Sequence, residues 1–149
     1  MNLLVLLAVI GTGIAGGVFF AFSSFVMPAL RRLPAAHGIA AMQSINSAAV
    51  TPVFMADFVG TALVCLAVLI TGWDDPYLIT GSLLYLAGVF LLTLAYHLPR
   101  NTALAALAPD APGAADHWDR YLRQWNRGNH LRALAGIAAS AVLIGGLDV

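Results

Sequence analysis

The residues of this chain that can do chemistry are few, and they stand out against an apolar background. Asp57, His97, Asn101, Asn129, His130 and Arg132 are polar or ionisable groups set within, or at the ends of, long hydrophobic runs. A carboxylate or an imidazole so placed can act as a general base, and a guanidinium beside a carboxamide can stabilise an oxyanion. His130 and Asp57 are therefore the candidate bases, with Arg132 and Asn129 as donors to a developing negative charge. His97, His130 and Asp57 also form a candidate ligand set for iron, copper or haem, because imidazole and carboxylate suit these metals and facing histidines are a common arrangement in helical bundles. Asn101, Trp125, Asn126, Ser24 and Asn46 are the candidate walls of a pocket for a hydrophobic aromatic molecule.

Each of these residues also has a purely structural use. Asp57 can pair with Arg132 or His130 as a tie between helices, since a lone carboxylate at membrane depth is costly. His97 can answer the C-terminal dipole of its helix, and Asn101 can cap a short helix over residues 102–107. Asn126 and Asn129 can satisfy backbone groups at a kink. Trp118, Tyr121 and Trp125 recur at helical spacing and can form an interfacial aromatic belt, while His37 and His117 are solvated in this reading.

The elements that must position these groups follow from composition. Hydrophobic residues make up 60 % of the chain and charged residues only 9 %, which sets it apart from soluble domains and predicts an integral membrane protein. About 20 helical residues cross the hydrocarbon core. Four stretches meet that length, at about residues 2–30, 53–71, 77–97 and 129–147, within a single domain over residues 1–149. The first is a span rather than a signal peptide, because no basic residue precedes it and it exceeds the usual h-region. Thr51-Pro52 and the cluster Gly72-Trp73-Asp74-Asp75-Pro76 mark breaks, and Leu98-Pro99 ends the third span.

Two semi-polar stretches, at about residues 35–50 and 116–127, carry apolar residues at helical spacing but are too mixed to span. The predicted fold is thus all-α, a four-helix transmembrane bundle with two additional cytoplasmic-side interfacial helices. Gly13 and Gly17, four apart with Gly16 beside them, offer a face for close helix approach or for a homo-oligomer. Cys65 has no second cysteine to pair with and reads as a core filler.

Charge gives the orientation. With four spans, Arg31, Arg32, Arg100, Arg120, Arg123, Arg127 and Arg132 all fall on one side, while Asp74, Asp75 and Asp148 fall on the other. The positive-inside rule then makes the arginine-rich loops cytoplasmic and both termini external, as in a bacterial inner membrane. The bilayer is the partner this composition predicts, and nothing points to nucleic acid.

Residues 17–30 (GVFFAFSSFVMPAL), residues 38–46 (GIAAMQSIN), Pro99-Arg100-Asn101 followed by Ala103-Leu104-Ala105, and Asn129-His130-Leu131-Arg132 together resemble the anthrone oxygenase-like family of small four-helix membrane proteins. The resemblance covers nearly the whole chain in order. It implies an oxygenase that converts an anthrone to an anthraquinone with dioxygen, and it places the family's polar motif on Asn101, Asn129, His130 and Arg132. One departure is visible: a tryptophan commonly precedes the Asn-His pair in the family, and Gly128 stands there in this chain. Either Trp125 fills that space from one turn earlier or the pocket is wider.

An anthrone needs no cofactor for this reaction. Its methylene is acidic because deprotonation gives an aromatic anthranolate, and that anion reacts with dioxygen directly. The alternatives that remain open from the sequence are a histidine-ligated metal or haem oxidoreductase and a non-enzymatic binding, transport or scaffold subunit.

Overall fold

The computed structural model describes residues 3–147, so Asn2 and Asp148 lie outside the described residues. The described residues form five helices: α1 (Leu3–Arg31), α2 (Ala35–Ala48), α3 (Pro52–Thr71), α4 (Pro76–Ala105) and α5 (Ala114–Ile144). Three of them, α1, α3 and α4, are long and apolar enough to cross a membrane, as an integral membrane protein requires.

Helix starts follow local chemistry. Thr51 Oγ1 accepts from the Phe54 N–H ahead of Pro52, and Asp75 Oδ1 accepts from the Tyr77 and Leu78 N–H groups ahead of Pro76. Both are N-caps followed by proline at the first helical position, where its missing N–H costs nothing. Gly113, with φ of 80°, turns the chain into α5.

Helices α1, α3, α4 and α5 pack as an antiparallel bundle. Tyr85 Oη donates to Phe58 O at 3.0 Å between α4 and α3, and Ser140 Oγ donates to Val9 O at 2.9 Å between α5 and α1. The bundle core holds Val5, Ala15, Phe19, Phe58, Cys65, Tyr85, Val89 and Leu143. A second core caps one end, where Met27 and Leu30 of α1, Ile39 and Met42 of α2, and Leu104 of α4 meet Trp118, Tyr121, Leu122 and Trp125 of α5. Gln43 ties this layer together by donating to Leu104 O and Leu107 O, both at 2.8 Å, which satisfies carbonyls at the end of α4.

The structure departs from several expectations. The stretches 116–127 and 129–147 are not two separate helices: α5 runs through both without a break, so Asn126 and Asn129 have none to satisfy. The aromatic stripe of α5 does not face the membrane interface, because α2 and the end of α4 cover it and Trp118, Tyr121 and Trp125 are all buried. Nor does α4 end at His97.

The continuation of α4 past His97 has a clear cause. Proline lacks an N–H and its ring crowds the carbonyl four residues back. Before Pro28 and again before Pro99 the helix widens into a π segment, Phe22–Val26 and Thr93–His97, in which Met27 N–H bonds Phe22 O and Leu98 N–H bonds Thr93 O. The wide turn carries each helix past its proline intact.

The close-approach face is also revised. Gly16 is the residue against which α5 packs, and a Cβ there would sit 2.7 Å from Ile137 N and 2.9 Å from Gly136 C. Gly17 has nothing within 4 Å of its missing Cβ, and Gly13 faces only the Ser140 side chain. Gly16→Leu should therefore lower the thermal unfolding midpoint in detergent, at a cost of about 1–3 kcal/mol or more for overpacking against backbone. Gly17→Ala should leave the midpoint within error.

Candidate functional site

Where the two cores meet, the helices line a partly open cavity of ≈ 510 Å³. Its walls are mainly apolar, from Phe19 and Phe22 of α1, Met42 and Ile45 of α2, and Phe54 and Phe58 of α3. Polar groups enter from few places: Asn46 on α2, Thr51 at the start of α3, Thr93 and Asn101 on α4, and Trp125 and Arg132 on α5.

Arg132 is the dominant group. It is 4 % exposed, and its guanidinium carbon lies 4.1 Å from the Phe19 ring centroid and 5.0 Å from that of Trp125. Nη2 donates to Asn129 Oδ1 at 2.8 Å and Nη1 donates to Thr93 Oγ1 at 3.2 Å, while Nε has no partner. All of these partners are neutral. Among the described residues Arg132 makes no ion pair, so the expected tie to Asp57 is not formed. Thr93 can accept from the arginine because its own hydroxyl donates back to Val89 O at 2.7 Å.

Asn129 is fully buried and works behind the cavity wall. Its Nδ2 donates to Phe19 O and to Ser23 Oγ, both at 2.8 Å, which aims Oδ1 at Arg132. Ser23 Oγ also lies 2.9 Å from His130 Nδ1. Ser23 Oγ thus accepts from Asn129 while also meeting the imidazole, in a contact whose donor is set by the His130 tautomer. A hydrogen-bonded chain links Arg132, Asn129, Ser23 and His130.

Asn101 holds the opposite wall. Its Oδ1 accepts from Tyr121 Oη at 2.8 Å and from Trp125 Nε1 at 3.0 Å, fixing the indole plane. Asn101 is a tertiary acceptor and not the helix cap the sequence predicts, because α4 has already been under way since Pro76.

Of the predicted pocket residues, Asn46, Asn101 and Trp125 line the cavity, together with Arg132. Ser24 does not: it is exposed and its hydroxyl donates to Phe20 O at 2.8 Å. Asn126 lines a different groove, together with His130, which is exposed. Asp57 is half-buried, with Oδ2 unpartnered, and lies off the cavity wall. The ligand set His97, His130 and Asp57 is not assembled, and among the described residues no three His, Cys, Asp or Glu side chains come together to hold a metal. The reason is helical phase. His130 and Arg132 are two residues apart, hence on opposite faces of α5, and His97 is packed edge-on to Trp125 at 5.1 Å between ring centroids.

Thr93 and Phe19 are contributors that the sequence did not single out, and Ser23 rather than Ser24 supplies the hydroxyl of α1. Thr93 carried a signal as the lone hydroxyl in its stretch of α4, but Phe19 is one of many phenylalanines and acts through its carbonyl and ring face.

A family model described as anthrone oxygenase matches residues 45–142, a stretch that includes Asn46, Thr93, Asn101, Trp125, Asn129 and Arg132. The chain belongs to the anthrone oxygenase family. No curated protein and no solved structure matches it. At Gly128 the packing leaves no room for a tryptophan: a Cβ there would meet Tyr96 Cε1 at 2.6 Å and His97 Nε2 at 2.7 Å. Gly128 is not on the cavity wall, and Trp125 is the indole that is.

Asn101→Leu removes one acceptor and strands two buried donors, on Tyr121 and Trp125. Each stranded donor costs about 1–3 kcal/mol. The thermal midpoint should fall clearly, and more than for Tyr121→Phe, which removes only one of the two bonds.

Proposed function

We propose that this protein is a membrane-embedded oxygenase that takes an anthrone-type aromatic substrate into the ≈ 510 Å³ cavity and oxidises its methylene with dioxygen. The observation that carries the reading is Arg132, a buried guanidinium without a counter-ion, facing a cavity with aromatic walls. Such a cation is costly in an apolar bundle unless a negative charge joins it, and the charge supplied here is that of the anthranolate. The cavity size falls in the ~300–1,000 Å³ range of small-molecule sites.

In this mechanism the rings lie among Phe19, Phe22, Phe54 and Phe58, and the carbonyl oxygen faces Arg132. Among the described residues no imidazole or carboxylate lines the cavity, so neither His130 nor Asp57 is cast as the base. Arg132 instead lowers the cost of the oxyanion, and water takes the methylene proton. The anion adds dioxygen at the former methylene carbon, and the peroxide oxygen takes up a proton. The resulting hydroperoxide loses its remaining C–H proton with cleavage of the O–O bond. The balance is substrate plus dioxygen to quinone plus water, with no other oxidant. Asn129 and Thr93 act as positioning residues for the guanidinium.

The same reading has α5 cross the bilayer as a fourth span, with the arginine-rich end of the bundle in the cytoplasm and both termini outside.

Oxygen uptake with 1,8-dihydroxyanthrone, corrected for the protein-free rate, tests this. Arg132→Gln should reduce the catalysed rate by roughly 10²–10³, as loss of an oxyanion donor does, in protein whose helical circular dichroism is unchanged. Asp57→Asn should stay within a few-fold of the parent. An equal loss at Asp57 would return the base role to that carboxylate, and full activity in Arg132→Gln would sink the mechanism.

A further inference from the structure

On the far face of α5 from the cavity, a groove of ≈ 360 Å³ opens between the end of α1 and the first half of α5. Arg31, Arg32, Arg123 and Arg127 line it with Asn126 and His130, and no carboxylate does. None of the four guanidiniums makes a hydrogen bond or ion pair among the described residues, and Asp119, one turn before Arg123, is not paired with it. Four unneutralised cations around one small volume repel one another and form a strong site for an anion. Asn126 adds a second signal, because its Oδ1 is buried without a partner and so awaits a hydroxyl or other donor.

We propose that this groove binds the phosphodiester headgroup of an anionic membrane phospholipid. Guanidinium forks match phosphate oxygens, and pockets of arginine at a membrane boundary select such headgroups. The lipid is favoured over a free phosphate by what surrounds the charge. Met27, Pro28 and Leu122 form an apolar floor, and one turn earlier on the membrane-crossing helix Phe25 is 62 % exposed, offering a surface along which acyl chains can lie. A headgroup hydroxyl would also meet the need of Asn126. The groove includes His130, the outer end of the hydrogen-bond chain that passes through Ser23 and Asn129 to Arg132.

The test uses the full chain in nanodiscs of phosphatidylcholine with or without phosphatidylglycerol, with bound lipid counted by native mass spectrometry after release into detergent. The parent protein should retain phosphatidylglycerol in preference to phosphatidylcholine. The double variant R31Q/R127Q should weaken that preference on the order of 25-fold, at roughly fivefold per arginine. Arg120→Gln, on the same helix but outside the groove, should leave it unchanged. Equal retention in the double variant, or an equal loss in Arg120→Gln, would overturn the site in favour of diffuse charge attraction. Displacement of the lipid by millimolar inorganic phosphate would make free phosphate the ligand and would also overturn it. Thermal melts of all variants separate a lost site from a lost fold.

Discussion

The structure depends on how one cation is kept inside an apolar bundle. The Arg132 guanidinium is held by two neutral hydrogen-bond acceptors and two aromatic faces, with no opposing carboxylate among the described residues. That arrangement needs α1, α4 and α5 in one register. Asn129 must reach the Phe19 carbonyl, which requires α1 and α5 to approach closely, and the missing side chains of Gly16 and Gly136 permit that approach. The hydroxyl of Thr93 must face inward, which places a constraint on α4 as well.

Both long N-terminal-to-cap helices meet this constraint with the same device. Each has a proline near the capped end, and each widens just before it, at Phe22–Val26 and Thr93–His97. The extra residue in a π turn rotates the groups that follow and exposes carbonyls that a regular helix would consume. Ser23 and Thr93, the two hydroxyls in the polar network, lie in these segments. A proline that would break a soluble helix here becomes the means by which side chains are re-aimed toward α5.

The continuous α5 joins two environments. Its C-terminal half completes the bundle and its N-terminal half carries the aromatic stripe into the cap, so the cavity sits at the junction and is lined from both. A stripe of Trp118, Tyr121, Leu122 and Trp125 reads equally well from sequence as an interfacial belt or as a core face. Only the presence of α2 and the end of α4 over it decides for the core. The same covering turns Asn101 from a cap into an acceptor shared by Tyr121 and Trp125.

The sequence by itself determined the helical class, three of the segments able to cross a membrane, and the breaks at Thr51-Pro52 and Asp75-Pro76. Hydropathy, capping chemistry and the cost of polar groups in lipid act locally, so single-chain patterns carry them. Tertiary structure decided which polar groups share a space. His130 and Arg132 are neighbours in the chain but, through helical phase, line different cavities, whereas Phe19 and Arg132 are far apart in sequence and in contact. Residue spacing fixes the face of a helix on which a side chain lies, but the packing of the other helices determines what that face meets.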